Sequence, residues 1–149
     1  MEHSKKILNQ LNNLLLMNYE IEKIYLEAFK NVADANLKTF FKERGSDRLQ
    51  FGNDLRVEIE KFGGFPRHSG PMSSVLYKTW MNFRNSILLK NESELLDEVY
   101  KIKQLNLEQY NNLLREMNMP LSICKLLAKQ RDAVEATMHA IKRQDAFVA

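Results

Sequence analysis

The chain has 149 residues, of which 44% are hydrophobic and 28% charged, and its 22 basic and 19 acidic side chains give a net charge of +3. This balance excludes a disordered chain and fits one globular domain that can bury a core without disulfides. Charges of both signs are interleaved along the sequence, so a nucleic-acid partner is not expected.

Cys124 is the single cysteine, so an intramolecular disulfide is excluded and a reducing compartment is favoured. Polar residues such as Asn9, Asn12 and Asn13 interrupt the first segment. We therefore expect no signal peptide and no membrane span, and we predict a cytoplasmic protein.

Five helices are predicted in chain order, because glycine and proline are rare and apolar residues recur at alternating steps of three and four. Asp34 is suited to cap the second helix, Gly63 and Gly64 to end it, and Pro120 to begin the last. The expected helices cover about 4–32, 35–62, 74–89, 92–118 and 120–144 of one domain spanning 1–149.

Gly45 and Gly52 lie seven residues apart on one face of the second helix. Glycine costs helix stability, so this pair predicts the close approach of another helix.

The links between the helices predict the topology. Short breaks near residues 34 and 119 make the first two long helices antiparallel, and likewise the last two. The link between these pairs is long and itself partly helical, which is typical of a ferritin-like four-helix bundle with one crossover. A simple up-and-down bundle is the alternative.

An interior polar layer is predicted, because the core stripe of each long helix is apolar at its ends and polar near its middle. Antiparallel neighbours bring these middles to similar heights. The simplest interpretation is a hydrogen-bonded core that fixes helix register, with Arg48 paired to Glu22. The predicted members of the layer are Asn18, Glu22, Tyr25, Arg44, Arg48, Asn106, Gln109 and Gln130.

A ferritin-like bundle often holds two metal ions at such a layer, with Glu-x-x-His pairs among the ligands. The three histidines are His3, His68 and His139, and none of them follows a glutamate by three positions. Arginines in the layer would also repel a cation. No cofactor is therefore expected, with iron or manganese as the alternative. The candidate ligands for that alternative are Glu22, Glu43, Asp47, Glu135 and His139.

The crossover carries the most distinctive motifs: Gly63-Gly64-Phe65-Pro66, Ser69-Gly70, and a helix containing Trp80-Met81. Over roughly residues 8–115 the chain resembles a bacterial ferritin-like family, domain-of-unknown-function family 2383. The resemblance implies a four-helix bundle and supplies no settled activity. Lys103 and Gln104 stand where members often carry an acidic pair.

We therefore expect a non-catalytic bundle that acts by interaction or in a stress response, the latter by family analogy alone. Exposed apolar residues on the helices, expected to include Phe29, Phe40 and Leu114, favour a homodimer. The alternative is a metal-binding oxidoreductase or metal-storage protein.

Overall fold

The computed structural model describes residues 2–68, 74–89 and 91–148, with side chains described except in 74–76 and 138–148. The described residues form helices and no strand. The helices are α1 (Glu2–Asn31), α2 (Ala35–Lys61), α3 (Ser74–Leu88), α4 (Glu92–Leu114) and α5 (Leu121–Val148).

The helix ends follow local chemistry. The Asp34 side chain accepts a hydrogen bond of 2.8 Å from the Leu37 amide and caps α2, and Asn91 caps α4 in the same way. Gly63 ends α2 with a φ of 90°, a conformation that glycine adopts without strain. The end of α4, predicted at about 118, lies at Leu114, and Asn118 takes a φ of 60° that no helix interior accommodates.

The four long helices form a ring in which α1 packs against α2 and α4, and α5 packs against α4 and α2. Neighbours in the ring are antiparallel. For α1 and α4, Lys6 pairs with Glu116 and Asn18 with Tyr110, so residue numbers increase along α1 in the direction in which they decrease along α4. The short helix α3 packs outside the ring, mainly on α4.

The link from α2 to α4 crosses from one end of the bundle to the other. Near its start, the Asn12 side chain binds the backbone of Phe65 at 3.2 Å and of Arg67 at 2.9 Å, close to the beginning of α1. Near its end, Ile87 lies beside Val32, close to the end of α1. The fold is thus an all-helical bundle with a crossover, and the narrower ferritin-like assignment stays a prediction.

The predicted close approach of a helix to Gly45 and Gly52 is observed, and the approaching helix is α1. A Cβ atom on Gly45 would lie 3.7 Å from Tyr25 Cβ. A Cβ atom on Gly52 would lie 2.9 Å from the ring of Tyr19, so that ring would have to shift.

The core consists of two apolar clusters, one toward each end of the bundle. The first contains Ile21, Ile24, Phe41, Phe83, Val99 and their neighbours. The second contains Ile7, Leu11, Leu55, Ile59, Leu127 and their neighbours. In α2 and α4, buried polar residues separate the two clusters along the helix.

The apolar residues that led to the homodimer prediction differ in exposure. Phe40 is 9% exposed and belongs to the first cluster. Phe29 and Leu114 are half-buried against the first and second clusters. The expected exposure is therefore wrong for Phe40, whose side chain packs in the core, whereas Phe29 and Leu114 stay partly exposed.

Within the part of the chain that the structure describes, no helix is both long enough and apolar enough to cross a membrane.

Candidate functional site

Arg48, on α2, is the centre of the polar layer and is 3% exposed. Its Nη1 donates to Asn18 Oδ1 of α1 at 2.7 Å and to Asn106 Oδ1 of α4. One guanidinium group thus joins three helices, and both of these acceptors are neutral amide oxygens.

A second run of hydrogen bonds continues the layer to α5. Asn18 Nδ2 donates to the Tyr110 hydroxyl at 3.1 Å, and this hydroxyl donates to Gln130 Oε1 at 2.7 Å. Gln130 Nε2 then donates to the backbone carbonyl of Phe51 on α2, at 3.2 Å. Burial raises the pKa of Tyr110 to about 12, so its phenol keeps its proton and can act as a donor.

Lys103, on α4, is completely buried, and its Nζ has no hydrogen-bond partner among the described residues. This nitrogen lies 4.9 Å from the centre of the Phe40 ring. Burial lowers the pKa of Lys103 to about 5, and the charges of Arg48 and Arg44 act in the same direction. The side chain is therefore a neutral amine at neutral pH.

Lys103 and Arg48 line a small cavity that α1, α2, α4 and α5 enclose, with a volume of about 10 Å³. Its other polar side chains are Tyr25, Arg44, Asp47 and Thr137. The Tyr25 hydroxyl is buried at this cavity, where burial raises the pKa of the phenol and the nearby Arg48 guanidinium opposes that rise.

Arg44 and Asp47 form the rim of the cavity. Arg44 Nε lies 3.1 Å from Asp47 Oδ2, one helical turn along α2, and both side chains are partly exposed. Asp47 contributes the single carboxylate among the described cavity-lining residues, and it is already paired with Arg44.

The remaining predicted members of the layer lie away from the hydrogen-bonded centre. Glu22 is half-buried, and this burial raises the pKa of its carboxyl group. Gln109 is also half-buried, and its Oε1 is enclosed without a partner in the described structure. The expected pairing of Arg48 with Glu22 is wrong, because Arg48 turns to Asn18 and Asn106 and forms no ion pair among the described residues.

The candidate metal ligands lie apart. Glu43 is exposed beside Arg44, Asp47 is paired with Arg44, and Glu135 is exposed on α5. The His139 side chain lies outside the described residues. Nowhere in the described structure do three His, Cys, Asp or Glu side chains gather in a way that could hold a metal ion.

The donor set at the layer does not fit a two-metal centre. Such a centre needs several carboxylates facing one point. Here two guanidinium groups and one amine face the cavity, with a single paired carboxylate. Cationic groups at this distance would oppose a second cation, so we assign no chemistry to a metal here.

Lys103, Tyr110 and Thr137 belong to the site but were not among the predicted layer residues. Lys103 lies one position from the predicted stripe residue Ile102, and Tyr110 one position from Gln109. A stripe read in steps of three and four averages 3.5 residues per turn, whereas a straight helix has 3.6. Along α4 this drift moves the inward position from Gln109 to Tyr110.

Comparison with known proteins places most of the chain in one family. The family model described as Domain of unknown function (DUF2383) matches residues 6–116, which include α1, α2 and α4 and therefore most of the polar layer. A search of curated proteins found no match. Because the match covers well over half of the chain, the chain belongs to the family of the domain of unknown function DUF2383.

Proposed function

We propose that this protein is a non-catalytic helical bundle of the cytoplasm that acts through interactions, the first of them with a second copy of itself. A stress-related role is the part of the proposal that rests on family resemblance alone. The proposal rests chiefly on the chemistry of the polar layer.

The polar layer contains a guanidinium group, amides and a phenol that hydrogen-bond to one another. Arg48, Asn18, Tyr110 and Gln130 form a continuous set of hydrogen bonds across all four long helices. A buried network of this kind fixes helix register, since a shift of one helix would leave several polar groups without partners. Such a layer supports a structural role better than it supports a reaction.

The surface supports the interaction role. Phe65 is 90% exposed, Met117 74% and Leu121 68%. All three lie toward the same end of the bundle. Asn12 binds the Phe65 carbonyl, and His3 contacts the Met117 carbonyl. Ser122, the residue after Leu121, donates a hydrogen bond to Glu58 near the end of α2. Exposed aromatic and aliphatic groups at one end offer a surface for self-association.

Measuring the mass in solution tests the dimer. We expect the mass of two chains, and the mass of one chain after Phe65, Met117 and Leu121 are changed together to serine. The matched control changes Leu88 and Leu89, which are 68% and 75% exposed toward the other end, and should leave the dimer intact. A wild-type protein that is a monomer at every concentration would refute the dimer.

Elemental analysis separates this proposal from the alternative of a metal-binding oxidoreductase or metal-storage protein. The protein is purified after growth in medium supplemented with iron and manganese. We expect well under one metal ion per chain and no spectral change when ferrous iron is added. Stoichiometric metal that survives dialysis would support the alternative.

A further inference from the structure

The cavity of the polar layer concentrates positive charge. Arg44, Arg48 and Lys103 all line it, and among the described residues Asp47 provides the single carboxylate against them. Since Asp47 already pairs with Arg44 at 3.1 Å, the buried Arg48 guanidinium is left without a counter-charge. The cavity therefore carries excess positive charge inside the bundle.

Arg48 supplies a charge that cannot be removed. A guanidinium stays protonated at any pH that proteins experience, and burying it without an anion is costly. Asn18 and Asn106 satisfy part of its hydrogen-bonding capacity, and the Phe51 ring lies 5.6 Å from its centre. None of these groups carries a negative charge.

Lys103 provides a second, independent observation. Its side chain is fully buried, its nitrogen lacks a hydrogen-bond partner in the described structure, and it lines the same cavity as Arg48. A buried lysine that neither reaches water nor meets a carboxylate leaves donor capacity unused. Burial, together with the nearby charges of Arg48 and Arg44, lowers the pKa of Lys103.

We propose that this cavity binds one small monovalent anion of the halide class. The anion would accept hydrogen bonds from Lys103 and Arg48 and from the Tyr25 hydroxyl, all of which line the cavity. The Thr137 hydroxyl lines the cavity but donates to the Ala133 carbonyl at 2.8 Å, so it contributes only contact. At about 10 Å³ the cavity has room for about one water-sized particle, which excludes phosphate, sulfate and organic acids.

Thermal unfolding in chloride and in gluconate, at one fixed ionic strength and pH, tests the proposal on the full chain. A ligand that binds only the folded state raises the midpoint as its concentration rises. We expect chloride to raise the wild-type midpoint by several degrees relative to gluconate. Broadening of the chloride-35 resonance by the protein provides a second measurement that does not depend on unfolding.

Three variants complete the test. Lys103→Met should abolish both chloride effects, and Tyr25→Phe should weaken the apparent affinity several-fold while keeping the fold. Lys42→Met makes the same substitution at an exposed position on α2 and should respond as the wild type does. A wild-type midpoint that is the same in both salts, as expected for a cavity filled by water alone, would overturn the proposal. A Lys103→Met protein as sensitive to chloride as the wild type would overturn it equally.

Discussion

The polar layer has two sides that differ in how completely their polar groups are paired. On one side Asn18, Tyr110 and Gln130 pass hydrogen bonds from α1 to α4 to α5. On the other side the Lys103 amine faces a cavity without a partner in the described structure, and the Tyr25 hydroxyl lines the same cavity. Arg48 stands between them, bonded toward the first side and lining the cavity of the second.

This difference shows that one layer can contain both a stabilising hydrogen-bond network and polar groups that cost stability. The paired side resembles an ordinary buried network, which fixes the arrangement of helices and loses stability when any member is removed. The unpaired side costs stability in the isolated chain, because it buries donors and charge without acceptors. A substitution that removes a polar group should therefore lower the free energy of unfolding on the paired side and raise it on the unpaired side.

The largest effect is expected on the unpaired side. Lys103→Met keeps the approximate length of the side chain and removes its polar end, so we expect a gain of about 1–4 kcal/mol in the free energy of unfolding. Denaturant unfolding in a gluconate buffer at neutral pH measures it. A loss of stability of similar size would mean that Lys103 has a partner that this account does not include.

On the paired side, Gln130→Leu should destabilise the protein by about 1–3 kcal/mol, because the Tyr110 hydroxyl loses its acceptor inside the core. The same unfolding experiment measures this change. Gln104→Leu on the exposed face of α4 provides the control for the change of residue type. If the two leucine variants were equally stable, the hydrogen-bonded side of the layer would not restrain the fold.

The pH dependence of stability should distinguish the wild type from Lys103→Met. The pKa of Lys103 is about 5 in the folded protein against an ordinary value of 10.5, so between these values the unfolded chain binds one more proton. Stability of the wild type relative to the variant should then rise with pH, by at most about 1.4 kcal/mol per pH unit, and level off below about pH 5. Unfolding curves at several pH values check this, and parallel pH profiles would contradict the burial of a neutral amine.

The smallest effect is expected outside the layer, where α1 and α2 meet. A Cβ atom on Gly45 would make ordinary contact with Tyr25 at 3.7 Å, so Gly45→Ala should stabilise the protein by about 0.5–1 kcal/mol through helix propensity. Gly52→Ala is the contrasting variant, since its Cβ would lie 2.9 Å from the Tyr19 ring and force that ring to move. If Gly45→Ala destabilised the protein as Gly52→Ala does, the two helices would approach more closely than the structure shows.

Much of the layer could be predicted from the sequence because helical periodicity fixes which side chains share a face. Asn18, Arg48, Asn106 and Gln130 interrupt otherwise apolar stripes, and each is buried in the layer. Their partners could not be predicted in this way, since the rotation of each helix about its axis depends on packing against three neighbours. Arg48 consequently meets Asn106 rather than Glu22.

Lys103 escaped prediction for a different reason. Lysine is almost never fully buried, so a lysine beside a core stripe is assigned to the surface unless the structure shows otherwise. Its neighbour Lys101 follows the ordinary pattern, exposed and paired with Glu98 at 3.1 Å. The sequence contains no signal that separates these two lysines, and only the packing of α4 against α1 and α5 does so.

The central claim is that Lys103 is a buried, unpaired amine beside the Arg48 guanidinium. Its pKa, measured from the carbon-13 resonance of the lysine Cε in gluconate buffer and assigned by comparison with Lys103→Met, tests that claim most directly. This account predicts a value of about 5 for Lys103, with the exposed lysines titrating in the ordinary range near 10.5. A titration of Lys103 in that ordinary range would show that its ammonium group reaches solvent or a carboxylate, and would contradict the unpaired cationic site.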